Sequence, residues 1–226
     1  MLHKRLVLSL LVLLCYNQPT ALSADTRTEA LERMVRSVSG TDFTVKIRTR
    51  RYEGPVGIRF DSSVDKATRD YIATLLPKIN RLIEPEATLF IGESTQQLWI
   101  YCGDRGMRNA CAEHPSYEGQ WDPAFTGWWW AMPSGLPGRY RYSIVWFKYP
   151  ADSVERKGTV LQELTQALGP GGDHPGNTIW RDGTRGVWFD YAEELALFAL
   201  YNRMEGNESP EQTRVILAQV LVDADY

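Results

Sequence analysis

The sequence predicts one domain of the α+β class, in which a mostly antiparallel sheet packs against helices. Most strand-like segments precede most helix-like segments, whereas a doubly wound fold would alternate them. No internal repeat and no linker rich in proline, glycine or serine divides the chain. With 226 residues, 43% of them hydrophobic, the chain can bury a substantial core in a single domain. A parallel sheet is not expected.

Net charge and composition restrict the classes of partner. The net charge is -3 and the isoelectric point is about 5.7, so no broad basic field is available and a nucleic-acid partner is not expected. The unusual feature is tryptophan, of which there are eight. Any account of the protein has to place these rings.

Residues 1–24 are typical of a secretory signal peptide. A positively charged start precedes an apolar run over Leu6–Cys15, and small residues follow near the expected cleavage site. The run is too short for a permanent transmembrane helix, so no membrane span is expected after cleavage. A buried N-terminal helix is the alternative, and the bulky Leu14 argues against lipid attachment at Cys15. The sequence therefore predicts a periplasmic or secreted domain over 25–226, with a net charge of −5 once two basic residues are removed.

Cleavage would leave two cysteines, Cys102 and Cys111. Two cysteines in an exported chain most simply form one disulfide, which would stabilise the fold by roughly 2–3 kcal/mol. A metal site built on the two thiols is the alternative, but it would need further ligands.

Elements before residue 103 are predicted from hydrophobic period and capping residues. Strands are expected where apolar and polar residues alternate, and a helix is expected where Asp61 and Ser62 offer cap oxygens. The predicted elements are a helix over Asp25–Val38, strands over Phe43–Arg48 and Val56–Phe60, a helix from Ser62 to about Leu82, and strands over Thr88–Ile91 and Leu98–Tyr101.

Residues 103–138 are rich in glycine, proline and aromatic residues and are predicted to be irregular. Later elements have clearer signals, such as the glycine and proline that stop one helix and the capping box that starts the last. The predicted elements are a strand over Tyr140–Tyr149, a helix over Ser153–Leu168, a loop over 170–188, a helix from Asp190 to about Met204, and a helix from Ser209 to about Ala224.

The helix over 153–168 carries the most informative motif. Gln162 and Gln166 are four residues apart and lie on one side with Glu163, opposite a side that includes Val154 and Leu161. This is the spacing of His-Glu-x-x-His, in which two imidazoles hold zinc and the glutamate activates water. An amide oxygen is a poor zinc ligand, so that chemistry is disabled here. The alternative is an ordinary amphipathic helix with solvated glutamines.

Few other metal ligands are available. After cleavage only His114 and His174 remain, and the position of a metzincin third histidine is Gly172. No bound metal and no cofactor are therefore expected. A mixed-ligand site of Glu163, Asp173 and His174 is the remaining metal hypothesis.

Residues 144–204 resemble a bacterial family of exported proteins and lipoproteins, the domain of unknown function 2927 family. The matching residues are Gln162-Glu163-Leu164-Thr165-Gln166-Ala167-Leu168-Gly169, Asp173, Thr178-Ile179, Asp182 and Leu200-Tyr201. The resemblance implies export from a Gram-negative-type cell and a zincin-like plan with a degenerate active-site helix. It implies no activity and no catalytic residue, because the family has none assigned. The tryptophan run lies outside the matching region.

The run Trp128, Trp129 and Trp130 has two interpretations. Exposed indole faces stack on sugars or peptide side chains, which would make a platform for glycan or peptidoglycan. Alternate rings of a strand can instead pack on the core while the middle ring covers a sheet edge.

Acidic residues suggest a second carboxylate for catalysis. Asp190, Glu193 and Glu194 are candidates to pair with Glu163 for acid–base work, but acids at a helix start are usually capping residues.

The sequence thus favours a non-catalytic envelope protein that binds a peptide, glycan or protein partner beside Gln162, Glu163 and Gln166, with Asp173 and Trp128–Trp130 as further candidate contacts. The alternative function is a metal-independent hydrolase of cell-wall glycan or peptide, in which Glu163 is the general acid or base.

Overall fold

A computed structural model describes residues 24–39, 49–115, 124–170 and 188–224 of the chain. These ranges contain six helices and five strands. In chain order they are α1 (Ala24–Ser39), β1 (Gly54–Phe60), α2 (Lys66–Ile83), β2 (Ala87–Ile91), β3 (Gln96–Cys102), α3 (Gly103–Glu113), β4 (Gly127–Pro133), β5 (Tyr140–Phe147), α4 (Val154–Gln166), α5 (Tyr191–Asn202) and α6 (Pro210–Asp223).

Most predicted elements are present with ends shifted by a few residues. Asp190 and Ser209 cap α5 and α6, each with the reciprocal hydrogen bonds of a capping box. The cap of α2 is Asp65, which accepts a hydrogen bond from the Thr68 backbone at 2.8 Å, so α2 begins later than predicted. The region 103–138 is not irregular throughout, because it contains α3 and β4. The predicted strand over Phe43–Arg48 lies outside the described residues.

The five strands form one sheet in the order β2-β1-β3-β5-β4, and only β4, on β5, is antiparallel to its neighbour. The α+β class is confirmed, but the prediction of a mostly antiparallel sheet was wrong. Parallel neighbours usually need a long crossover connection, commonly a helix. The overlooked α3 lies on the connection from β3 to β5, and α2 makes the connection from β1 to β2.

The connection from β2 to β3 is much shorter, and it depends on Gly57. Both strands pair in parallel with β1, with Ile91 beside Ile58 and Gln96 beside Val56. The four intervening residues therefore return across β1 at Gly57. A Cβ atom on Gly57 would lie 2.5 Å from the Gly92 oxygen and 2.8 Å from the Ser94 nitrogen. Only glycine leaves room for this crossing.

The sheet separates a large core from a small one. On one face, side chains of the strands pack with α1, α2, α4, α5 and α6 in the main core. On the other face, Tyr101, Ile144 and Trp146 pack with Met107 and Ala110 of α3 in a smaller cluster. The sheet is therefore covered by helices very unequally on its two faces.

Cys102 and Cys111 do not form the predicted disulfide, and both are thiols. Cys102 ends β3 and is buried in the main core, whereas Cys111 lies in α3 and packs against the small cluster on the other face. Nine residues of helix separate them by about 13 Å, beyond the roughly 7 Å at which two Cα atoms can be bridged. Burial raises the pKa of Cys102 to about 11, which also makes its thiol unreactive.

We expect Gly57→Ala to lower the free energy of unfolding by about 3 kcal/mol or more, because the new methyl group would meet backbone atoms that cannot turn aside. Gly54→Ala is the matched control: its φ is +74°, but a Cβ there meets nothing within 4 Å. The control should lose only about 1 kcal/mol. Urea unfolding measures both values, and equal losses would show that the crossing is not tight at Gly57.

Candidate functional site

Helix α4 is fixed at both ends. At its start the Ser153 hydroxyl accepts a hydrogen bond from the Arg156 backbone. At its end the carbonyl of Ala167 accepts from the Ser143 hydroxyl at 3.1 Å, and the carbonyl of Leu168 accepts from the Tyr201 hydroxyl at 2.6 Å. The two bonds at its end connect α4 to β5 and α5, and so determine where the motif residues lie.

The polar residues of the motif are buried. Gln162, Glu163 and Gln166 are only 4%, 6% and 2% exposed. The alternative of an amphipathic helix with solvated glutamines was therefore wrong. The side opposite the motif is not uniformly buried either, since Val154 in the first turn is 64% exposed. Buried polar groups of this kind are normally hydrogen-bonded, so the motif is part of an organised polar region.

Glu163 lies directly against the first residue of β4. A Cβ atom on Gly127 would lie 2.6 Å from the Glu163 Cγ atom, 2.8 Å from its Oε1 atom and 2.8 Å from the Thr159 methyl group. The absence of a side chain at Gly127 therefore allows the Glu163 carboxyl group to reach the backbone of the strand. The structure thus places the central residue of the motif at an edge of the sheet.

Strand β4 is an outer strand, and half of its backbone groups point away from the sheet. The Lys148 N–H donates to the Thr126 carbonyl, and the register pairs Gly127 with Phe147. Hydrogen-bonded and non-bonded pairs alternate in an antiparallel ladder. The N–H and C=O groups of Gly127, Trp129 and Ala131 therefore point outward. No strand in the described ranges pairs with this edge.

The three consecutive tryptophans lie on two different faces. Trp129 packs against the main core, on the face that carries α4, whereas Trp128 and Trp130 pack against the small cluster beside α3. All three are half-buried. The rings alternate between two faces and do not share one platform, but the middle ring, Trp129, packs against the main core, where the core-packing interpretation had it cover a sheet edge. Trp129 is the ring on the same face as Glu163.

His114 is the centre of an aromatic group on the face that carries α3. Its ring stacks on Tyr142 at 5.5 Å and meets the edge of Trp99 at 5.4 Å. The Tyr101 hydroxyl donates to Glu113 at 2.8 Å and lies 3.1 Å from the His114 Nε2 atom, so the imidazole donates to Tyr101. Burial lowers the pKa of His114, and the nearby Glu113 carboxylate only partly offsets this effect.

The acidic residues at the start of α5 have capping roles. Asp190 accepts a hydrogen bond from the Glu193 backbone, and Glu193 accepts from the Asp190 backbone at 2.8 Å. Glu194 accepts from the indole of Trp188. The capping interpretation is confirmed for Asp190 and Glu193.

The predicted mixed-ligand metal site includes two residues that the structure does not describe. Asp173 and His174, the proposed partners of Glu163 in a mixed-ligand metal site, lie outside the described residues. Among the described residues, no group of three His, Cys, Asp or Glu side chains is arranged to hold a metal ion. No helix in those ranges is both long and apolar enough to cross a membrane.

Comparisons with protein-family models, with curated proteins and with solved structures find no match for this chain. The family resemblance, the zincin-like plan and export therefore stay predictions.

Sequence reasoning missed Gly127 at the site and the aromatic group around His114 on the other face. Gly127 had a usable signal, because a glycine directly before three aromatic residues of high strand propensity can mark a close approach within a strand. His114 had none, since its aromatic neighbours Trp99 and Tyr142 are distant in sequence. Their proximity depends on the parallel pairing of β3 with β5.

We expect a coupling between Gly127 and Glu163 in a double-mutant cycle. Gly127→Ala should cost about 1–2 kcal/mol because its methyl group displaces the Glu163 side chain. In a Glu163→Ala background part of that cost should vanish, with a coupling of about 1 kcal/mol. The control pairs Gly127→Ala with Glu155→Ala, an exposed residue of the same helix, and should be additive. Additivity in both cycles would contradict the contact.

We also expect the protein to lose stability as the pH falls through the titration of His114. Its pKa in the folded state lies below the ordinary 6.5, so the unfolded chain binds the proton more readily and stability is complete only above that ordinary value. Urea unfolding at a series of pH values from about 7.5 down to about 5 should show a smaller decline for His114→Gln, whose amide can still donate to Tyr101. Parallel profiles for the two proteins would remove His114 as the cause.

Proposed function

We propose that this chain is an exported, non-catalytic protein of zincin-like plan that binds an extended peptide segment along the outer edge of β4, beside Glu163. The observation that carries the proposal is the juxtaposition of Glu163 with Gly127 on a strand whose outward backbone groups have no strand partner in the described ranges. Adding a strand to an open sheet edge is a common way to bind peptides.

The geometry favours a peptide over a glycan. The outward N–H and C=O groups of Gly127, Trp129 and Ala131 can pair with the backbone of an added strand and give affinity that is independent of side chains. A sugar platform beside the motif would require several exposed ring faces on the face that carries Glu163. Of the tryptophan run only Trp129 lies on that face, whereas Trp128 and Trp130 lie with Trp99 and Tyr142 on the opposite one.

The motif supports the same location. In the His-Glu-x-x-His version, the glutamate is the general base that activates the zinc-bound water for attack on the peptide bond, so this position lies beside a bound peptide. Here Gln162 and Gln166 replace the two imidazoles, and amide side chains neither hold zinc well nor change charge. A binding role uses the position without the metal chemistry.

Ala131→Pro should weaken binding of an extended peptide about tenfold or more. Proline removes the outward N–H and places its ring at the edge, while the hydrogen bonds to β5 are made by the neighbouring residues. Ala131→Val keeps the N–H and is the matched control. The probe is a displayed library of random eight-residue peptides, and selected binders should slow hydrogen exchange at Gly127, Trp129 and Ala131.

Other outcomes separate the competing functions. Binding of soluble peptidoglycan fragments, with no peptide selected from the library, would favour the glycan interpretation. Cleavage of selected peptides that is lost in Glu163→Gln would favour the hydrolase. Equal affinity of the proline and valine variants would overturn binding at the β4 edge.

A further inference from the structure

The opposite edge of the sheet, at β2, is occupied by a side chain of the protein itself. The Leu89 N–H donates to the Asn80 Oδ1 atom at 2.8 Å, and the Asn80 Nδ2 group donates to the Leu89 carbonyl at 2.9 Å. The Glu86 carbonyl and the Gly92 N–H bond to β1, so the alternate residues Ala87, Leu89 and Ile91 point outward. One amide of α2 therefore takes both outward groups at the centre of the strand.

This pairing imitates a neighbouring strand. A carboxamide presents one acceptor and one donor side by side, as a backbone amide pair does in a ladder. Since Asn80 satisfies both groups of Leu89, an incoming strand cannot bond to the middle of β2 without displacing it. The β4 edge has no comparable side chain bonded to Trp129, its central outward residue, in the described ranges.

The segment that Asn80 protects would be prone to associate if it were open. Residues 87–91 contain no charge and no proline, while glutamates lie just outside at Glu86 and Glu93. Phe90 and Ile91 are 36% and 52% exposed. An apolar, uncharged outer strand is the usual site of edge-to-edge pairing between copies of a protein.

The space beside the strand is an open groove. A shallow groove of about 530 Å³ lies between α2 and β2, with Pro77 and Asn80 on the helix side and Phe90 and Ile91 on the strand side. Pro77 has no N–H to give to the Ala73 carbonyl, which also belongs to the groove. The Asn80 amide lies in this groove and covers the middle of the strand edge.

We propose that Asn80 keeps the β2 edge closed to a second copy of this chain, so that copies do not pair edge to edge through β2. This role of Asn80 follows from its two hydrogen bonds to Leu89 and from the exposed apolar end of the strand, and it does not require that β4 bind a peptide.

Sedimentation of the mature chain tests this proposal. From about 1 µM to about 1 mM, where open edges associate, the wild type should show no association through β2, and Asn80→Ala should form dimers or larger species. The double variant Asn80→Ala with Ile91→Lys should return to the state of the wild type, because a lysine on an outer strand blocks pairing. The Ile91 side chain is exposed, so this second change should not disturb the fold.

A matched control separates opening of the edge from general loosening of α2. Asn202 donates to the Leu82 carbonyl at 2.8 Å, so Asn202→Ala also removes an amide bonded to α2 but leaves β2 covered. This variant should lose stability without associating. If Asn80→Ala does not fold, Asn80→Ser decides, since the serine side chain is uncharged and too short to bond both backbone groups of Leu89.

Three results would overturn the proposal. One is a folded Asn80→Ala or Asn80→Ser variant that sediments like the wild type at the highest concentration. Another is association that persists after Ile91→Lys is added. The third is a wild-type dimer that Ile91→Lys dissociates, because the edge would then be open despite Asn80.

Discussion

The arrangement of this protein depends on how the buried end of α4 is satisfied. The last carbonyls of a helix have no partner within the helix, and leaving them buried without one is costly. Here Ala167 and Leu168 are fully buried, and their carbonyls accept hydrogen bonds from Ser143 and Tyr201. Because one hydroxyl comes from β5 and the other from α5, these bonds set the position of α4 against the sheet, and with it the contact of Glu163 with Gly127.

The direction of these bonds is determined by the groups involved. Ser143 gives its proton to Ala167, so its oxygen must accept from the Tyr52 hydroxyl, which lies 2.6 Å away. Burial raises the pKa of both Tyr52 and Tyr201 well above ordinary values, and their hydroxyls remain donors at any physiological pH. The connection between sheet and helix is thus insensitive to pH, in contrast to the His114 group on the other face.

Sequence reasoning succeeded where the signal is local and failed where it is not. The caps at Asp190 and Ser209 and the existence of β1 are set by neighbouring residues. In the edge strand β4 apolar and polar residues do not alternate, because its three consecutive tryptophans lie on both faces of the sheet and each is half-buried. The direction of the strands was wrong because the prediction depended on the order of the elements, in which the helix between β3 and β5 was overlooked. That order also does not reveal that the tight passage over Gly57 lets a four-residue connection join two parallel strands. The spacing of Cys102 and Cys111 likewise did not reveal the helix between them.

The two edges of the sheet differ in a way that bears on the proposed function. At β2 the central outward residue is bonded by Asn80, whereas at β4 a glycine admits a carboxyl group to the start of the strand. Buried glutamines at the motif positions also have a physical reason, because an amide can donate and accept within a polar region without bringing a charge that burial would penalise. Glu163 on α4 therefore lies at the sheet edge with which no strand pairs in the described ranges, and the hydrogen bonds at the end of the helix hold it there.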